Sequence, residues 1–535
     1  MNKILALIRN IKIKCTFDDA ATIDNIAVSK AKKVLKKLYK GSADLDGAFV
    51  YKKSIDARNR SEIFLVYTVA FHVNDSKIPA NINGIEFVLL TDNEELFKTN
   101  RTVNNPPVVV GFGPSGMFCA LALARAGLEP IVIERGADVD NRAKSVSEYW
   151  TEGKLNPESN VQFGEGGAGT FSDGKLLTRI SDKLCNYVLS EFVRFGAPAE
   201  IMYLAKPHIG TDNLRNVVKN IRNEIIRLGG KVLFNTRLDS VESASFGNIS
   251  SVVLNNGEKI ACECVFLCIG HSARDTVKKL IGCSVCVEPK PFSVGVRIEH
   301  LQKDIDKALY GDFAGAPSLG VAQYTLSKKI DGRAVYSFCM CPGGVVVASA
   351  SGEGQIVTNG MSYYSRDGLN ANSAIAVSVN TSDYGNTVDG AIDFQEQIEK
   401  RAFLVAGGDG TAPIQLLGDF MNGIAKKEPG KILPTYTGKV SVKSADDVFP
   451  SFITDGLRKG ITLFERDIEG FTTPEAVLTF PETRTSSPVK IPRDENYRAL
   501  GFCNLYPCGE GAGYAGGITS AAVDGLKAAI SYLNS

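Results

Sequence analysis

The sequence predicts an α/β protein: a parallel βαβ nucleotide-binding domain, interrupted by an inserted, mainly antiparallel β segment and preceded by a small α+β domain. Three observations point there. Residues 108–116 read Val-Val-Val-Gly-Phe-Gly-Pro-Ser-Gly, ahead of an apolar helix-like stretch and a second strand-like run ending at Glu134. From about residue 287 to 441 the pattern changes to alternating strands, and the first hundred residues pair strand-like runs with one lysine-rich amphipathic segment. A length of 535 residues is too great for one core and fits about three domains, placed at 1–100, at 101–286 with 442–535, and at 287–441.

The glycine spacing carries the first element. A strand ends at Val110, Gly111 makes the tight turn, Gly113 lets the backbone approach a pyrophosphate, and Gly116 lets the following helix pack closely on the strand. Pro114 and Ser115 open that helix, whose positive N-terminus faces the phosphates. The second strand, Pro130 to Ile133, places Glu134 where a carboxylate accepts hydrogen bonds from ribose hydroxyls and repels a 2′-phosphate.

In the N-terminal segment, Ile11 to Cys15 and Phe64 to Val73 read as strands and Asp24 to Tyr39 as a helix with Ala27, Ala31, Val34, Leu35 and Leu38 on one face. This matches a βαββ, ferredoxin-like pattern. Lys30, Lys32, Lys33, Lys36, Lys37 and Lys40 cover the rest of the helix, which reads as its solvated side rather than as a nucleic-acid face. Farther along, Asp212 to Leu228 reads as a helix and Lys259 to Leu267 as a strand running into Gly270. Phe292 to Glu299, Ala334 to Cys341, Gly344 to Ala350 and Ala374 to Val379 read as strands of the inserted sheet, a second wall over a ligand, and Ser444 to Glu469 as largely helical with Ser444 as its N-cap.

A formal charge of +1 gives no global reason for a nucleic-acid or membrane partner. The N-terminus lacks the apolar core of a signal peptide and no run approaches the roughly 18 apolar residues of a membrane span, so the expectation is a cytoplasmic protein. Twelve cysteines without a secretory signal read as reduced thiols. No metal site is expected, and the cysteines read as inert; Cys339-Met340-Cys341 is the best candidate for a redox pair, but no pair follows the first fingerprint closely, so a catalytic disulfide is not expected.

The fingerprint accepts NAD or the ADP half of FAD. One helix terminus contributes about 0.3–2 kcal/mol, whereas nanomolar retention needs about 12 kcal/mol, so a long cofactor needs several binding segments. Glycine-rich stretches at 164–174, with Gly164, Gly167, Gly169 and Thr170, and at 509–517 are placed to supply them. Gly111 to Gly116 with Glu134-Arg135, the strand ending at Gly270, and Gly509-Glu510 followed by Gly516-Gly517-Ile518 resemble the three FAD-binding segments of glutathione-reductase-type flavoproteins. That resemblance implies a Rossmann-like FAD-binding domain carrying an inserted β substrate domain, with non-covalent FAD. It assigns Glu134 to the adenosine ribose, Gly270 to the adenosine half, Glu510 to the ribityl-phosphate side and the helix after Gly517 to the flavin pyrimidine.

Finer strings, Lys53-Ser-Ile-Asp-Ala-Arg58, Pro291 to Glu299, Phe338 to Gly344 and Glu482-Thr-Arg-Thr-Ser-Ser487, resemble the uncharacterised bacterial FAD-dependent dehydrogenases called NAD(FAD)-utilising dehydrogenases, over nearly the whole chain. The resemblance implies fold and cofactor and supplies no substrate. Glu510 departs from the aspartate common at that position.

Because a flavin carries the electron chemistry itself, catalytic residues leave a weak imprint. Glu482, Arg484 and Arg297 are the candidates, with Arg484 able to clamp a carboxylate or to sit in a structural ion pair, and His208 a lesser one. A second dinucleotide fingerprint is absent, so NAD(P)H enters only as a transient reductant. The expected activity is a flavin oxidoreductase acting on a small molecule. The alternative is a flavoprotein acting on a macromolecule such as tRNA through its Lys-rich N-terminal domain.

Overall fold

The computed structural model describes residues 3–74, 78, 82–90, 94–245 and 247–535. The chain gathers into two compact units, one of Met1–Leu96, Pro198–His208 and Gln302–Ala322, the other of Phe97–Ala197, Ile209–Leu301 and Gln323–Ser535.

In the first unit, strands Phe49–Asp56, Phe64–Val73, Lys3–Lys14 and Glu86–Leu90 pair in that order, all antiparallel. This is the strand order of a ferredoxin-like sheet; among the described residues one helix, Ala20–Leu38, connects its strands. The helix begins four residues before Asp24 because the Asp19 carboxylate caps it, accepting from the Thr22 N–H at 2.9 Å. Ile23, Ala27, Ala31 and Leu35 are buried, while Lys30, Lys33, Lys36, Lys37 and Lys40 are exposed. Residues 198–208 join this unit by backbone: the Lys53 N–H donates to the Tyr203 carbonyl and the Ala205 N–H to the Lys53 carbonyl.

The second unit holds two principal sheets. A five-stranded parallel sheet runs Leu505–Pro507, Val265–Leu267, Val108–Val110, Ile131–Ile133, Lys231–Leu233. Short all-apolar strands such as Val-Val-Val suit a sheet covered on both faces. Chain order changes direction beside Val108–Val110, the switch point at which such sheets open a crevice beyond their carboxyl ends. Lys259 to Leu267, expected as one strand, divides into Lys259–Ala261, paired antiparallel in a small three-stranded sheet, and Val265–Leu267 in the parallel one.

The second sheet has seven strands in the order Ser327–Ile330, Arg333–Cys341, Asn370–Val379, Phe292–Leu301, Val477–Glu482, Ala412–Leu416, Val440–Val442, with only the last pair parallel. It draws Val477–Glu482 from beyond residue 441, where the sequence reading ended the inserted segment. Every residue of that strand is buried, so no polar alternation reveals its sheet. The helix expected from Ser444 is also shorter: Ser444 caps a single tight turn, Ala445–Asp447, and the long helix is Ser451–Phe464, starting after Pro450, which disfavours helix in the residue before it. This helix packs on the sheet through Gly460, where a Cβ would stand 2.4 Å from Val335. Among the described residues no helix is long and apolar enough to cross a membrane.

Candidate functional site

A cavity of about 330 Å3 opens in the second unit at the carboxyl ends of the parallel strands. Its wall includes the turn Gly111 to Ser115, Glu134 and Arg135, Gly164, Gly167 and Gly169, Gly270, and Glu510 with Gly516 to Ile518. The antiparallel sheet contributes Phe338, Cys339 and Glu482, followed in sequence by Arg484 and Thr485. Asn359 comes from Thr358–Met361, which pairs with Val345–Ala348 in a two-stranded sheet of its own, apart from the inserted sheet in which Gly344 to Ala350 was expected. Segments some 370 residues apart in the chain, at 111–115 and 482–485, thus share one wall.

The glycines divide by what a side chain would meet. At Gly111, with φ +97°, a Cβ would stand 2.4 Å from the Cys268 carbonyl oxygen; at Gly167 it would stand 2.9 Å from the Gly113 Cα, so the 160–175 loop packs directly on the fingerprint turn. At Gly270, Gly516 and Gly517 nothing of the protein's packed core stands in the way: the nearest atom is beyond 4 Å at the first two and is a serine hydroxyl 3.9 Å off at the third. Two helices, Pro114–Arg125 and Ile518–Leu533, begin at the cavity after a glycine with no side-chain cap, leaving N–H groups for an anionic ligand. His271 adds a further unmet group: its Nδ1 lies 3.1 Å from Glu510 Oε1, while its buried Nε2 has no hydrogen-bond partner within the protein. Residues with room, exposed helix N-termini and an orphaned imidazole nitrogen fit an elongated, phosphate-bearing cofactor.

Glu134 is buried, and its carboxylate accepts from the backbone N–H groups of Phe112 (2.8 Å), Gly136 (2.9 Å) and Gly164 (2.9 Å). A carboxylate offers about four lone-pair sites, so Glu134 ties the two glycine-rich turns together with three of them and keeps one for a further donor. The guanidinium of Arg135 lies over the Phe163 ring, 3.9 Å from its centroid, and pairs with Glu158 and Asp275.

Four expected site residues do not line the cavity. Gly116 serves helix packing, since a Cβ there would meet the Gly111 carbonyl oxygen at 1.9 Å; Gly509 packs on Ser115 and donates its N–H to Asp524. Thr170 is fully buried within the 160–175 loop. Arg297 lies behind the wall, wholly buried, in a two-pronged pair with Glu482 at 2.8 and 3.0 Å. His208 is not a wall residue either.

Arg484 reaches the cavity with its guanidinium already engaged, by Glu399, Ser351 and Gln355. Of the two sequence readings for Arg484, the structural ion pair is therefore present. Glu399 is wholly buried and also accepts two bonds from Arg274 at 2.9 Å. Burial alone would raise its pKa, but Arg274 and Arg484 outweigh this and hold it at about 2. A depressed carboxylate stabilises the fold fully above its ordinary value of 4.5 and loses that contribution as pH falls toward 2. Urea titrations between pH 5 and 2 should therefore show a steep loss of stability in the wild type and a shallower pH slope in Glu399→Gln, whatever the absolute stability of the variant.

The sequence reading missed four residues. Arg142 is entirely buried in the helix Val139–Glu152 and donates to five backbone carbonyls of the glycine-rich loop, those of Asn160, Val161, Gly164, Glu165 and Gly167, at 2.6–3.2 Å. Lys175 lines the cavity, donates to the Met340 carbonyl and pairs with Asp173 at 3.2 Å. His271 carries no motif. Cys339, singled out in the sequence only as half of the best candidate redox pair and not as a site residue, is a half-buried wall residue, brought there by a β-bulge that no residue pattern announces.

Residues 291–485 match the family model "FAD-dependent protein, C-terminal domain-like", and residues 7–72 match a domain of unknown function (DUF8436). The chain is 47% identical over 505 residues to an uncharacterised protein of Clostridium beijerinckii, covering 93% of this chain and 94% of that one. Similar solved structures include a geranylgeranyl bacteriochlorophyll reductase-like protein from Thermoplasma acidophilum (11% identity, TM-score 0.35, covering 80% of this chain and 78% of that one). A flavoprotein/dehydrogenase from Cytophaga hutchinsonii is another (12%, TM-score 0.36, covering 80% and 79%). By the extent of its identity to the Clostridium beijerinckii protein, the chain belongs to the same family, an FAD-dependent family by the model that its residues 291–485 match.

Proposed function

We propose that this protein is an FAD-dependent oxidoreductase that binds one FAD non-covalently in the cavity and exchanges electrons between it and a small molecule. The observation that carries the reading is the shared wall: the dinucleotide fingerprint of the parallel sheet and the residues matched as an FAD-dependent domain line one cavity. Bound there, FAD would supply the hydride and electron chemistry.

The chain's own residues then bind, orient and seal. The turn Gly111 to Ser115 and the free N-terminus of Pro114–Arg125 hold the pyrophosphate, Glu134 the adenosine ribose, and Glu510 with His271 the ribityl side. Gly516, Gly517 and the N-terminus of Ile518–Leu533 take the ring system. Phe338 and Glu482 from the antiparallel sheet, with Asn359 from the two-stranded sheet, close the site against water on the substrate side. Arg297 acts one layer back, fixing Glu482, while Arg484, in the wall itself, fixes the 482–485 segment through Glu399.

Purified protein should be yellow, and the apoprotein should gain about 2.7 kcal/mol of stability at FAD one-hundredfold above Kd. Gly516 has open space beyond its Cα and no left-handed backbone, so Gly516→Leu should leave the apoprotein's melting temperature in place and weaken FAD at least tenfold, about 1.4 kcal/mol. A colourless wild-type protein whose melting temperature ignores FAD would remove this reading.

A further inference from the structure

The strand Arg333–Cys341 pairs with Asn370–Val379 in regular antiparallel register up to Phe338, opposite Ala374. The next partners are Cys341 and Asn372, so three steps on one strand span two on the other. The extra residue is a β-bulge of the kind that re-aims a side chain beside a site. Cys339 sits in it with φ +45°, a left-handed conformation that a non-glycine residue adopts only where its surroundings hold it.

Two successive carbonyls of the bulge are fixed. The Arg297 guanidinium donates to the Cys339 carbonyl at 2.9 Å, and the Lys175 ammonium donates to the Met340 carbonyl. Cys339 and Lys175 line the cavity together. Cys341 has no exposed surface; its thiol donates to the Cys339 carbonyl at 3.2 Å. The hydrogen bond from Cys341, with Lys175 and Arg297 nearby, outweighs burial and lowers the Cys339 pKa, while the same contact and burial raise that of Cys341. The Cys339 thiol thus belongs to the cavity wall with its pKa lowered, and the Cys341 thiol is buried two residues away.

We propose that Cys339 and Cys341 form a reversible dithiol–disulfide couple opening on the cofactor cavity, with a small-molecule disulfide as its exchange partner, Cys339 attacking and Cys341 resolving. The proposal rests on the reading of this cavity as a flavin site for its metabolic role, though not for its chemistry. The Cys339 thiolate attacks one sulfur of R–S–S–R; the substrate S–S bond breaks and RS⁻ leaves, giving a mixed disulfide. The Cys341 thiol gives up its proton as its sulfur attacks Cys339; the second RS⁻ leaves, and the two thiolates depart as two RSH with the two protons the pair has lost. Two thiols are oxidised, one disulfide is reduced, and no further reactant is needed.

The test is a redox titration of the full-length protein in glutathione buffers at neutral pH, with flavin bound and after its removal. Samples are acid-quenched, blocked with N-ethylmaleimide and mapped by peptide mass spectrometry. In wild type, the peptide holding Cys339 and Cys341 should become two hydrogens lighter with one midpoint, distinct from any modification of the exposed Cys286 and Cys503. Cys341→Ser should instead accumulate glutathione on Cys339, and Cys339→Ser should give neither product, each variant being checked for native circular dichroism. Glutathione retained on wild-type Cys339 without closure would overturn the couple and leave a lone nucleophile. An unmodified pair in fully oxidised buffer would overturn it outright. If the pair titrates in a protein that binds no FAD, the flavin reading fails and the couple stands; a flavin-loaded protein with silent thiols gives the reverse.

Discussion

Arg142→Met should be among the most damaging single substitutions in the chain, costing about 4 kcal/mol and abolishing flavin retention together. The side chain has no exposed surface and satisfies five loop carbonyls, three of them through Nη1 alone. Each carbonyl left buried without a donor costs about 1–3 kcal/mol. Water admitted to the vacated space recovers part of that sum, which sets the expected figure at the high end of single-residue effects. The loop would lose the shape that presses Gly167 on Gly113, so equilibrium unfolding and FAD content should fall in parallel. Arg142→Lys should recover little, because an ammonium presents three donors from one point whereas the guanidinium presents five in a fixed plane. An Arg142→Met protein with native stability and full flavin would show that the loop holds itself.

Arg297→Met should cost about 3–5 kcal/mol, the usual penalty for removing one member of a buried pair. The loss falls on Glu482, whose carboxylate would face the interior without its two-pronged partner, and on Asn372 and the Cys339 carbonyl, which share Nη1. The double variant Arg297→Met/Glu482→Gln should regain 1 kcal/mol or more of it, since the uncompensated charge is gone; strict additivity of the two single effects in denaturant titrations would argue against a coupled pair. Flavin content should track folded fraction in both, because the FAD fingerprint lies on the other sheet.

The part of this site that could be read from the sequence is the part where backbone geometry restricts residue type. Gly111 and Gly167 leave no room for a Cβ, and Glu134 follows its strand at a fixed offset, so their identities are legible without a structure. The same rule does not tell which glycines line the cavity: Gly116 and Gly509 are crowded by Gly111 and Ser115 just as Gly111 is by Cys268, yet neither is a wall residue. Arg142 leaves no signal, since in Val139–Glu152 it reads as one more polar residue of a solvated helix. Cys339 is hidden for a different reason: one extra residue in a strand breaks the two-residue period on which sequence reading depends. Val108–Val110 and Ile131–Ile133 are legible as short apolar runs, whereas Val477–Glu482, interrupted by Thr479, Pro481 and Glu482, carries no strand period and yet pairs in the antiparallel sheet.

The parallel sheet places Leu505–Pro507 at its edge, and residues 510–518 complete the cavity wall begun at Gly111. On the ribosome these pieces emerge on the order of 400 residues apart, tens of seconds at about 5–20 residues per second. The nascent chain therefore carries a half-built nucleotide crevice through most of its synthesis, with the Val265–Leu267 strand as an unprotected sheet edge. Cofactor capture becomes a late maturation event, and translation stalled before residue 505 would release a species exposed to aggregation even when FAD is plentiful.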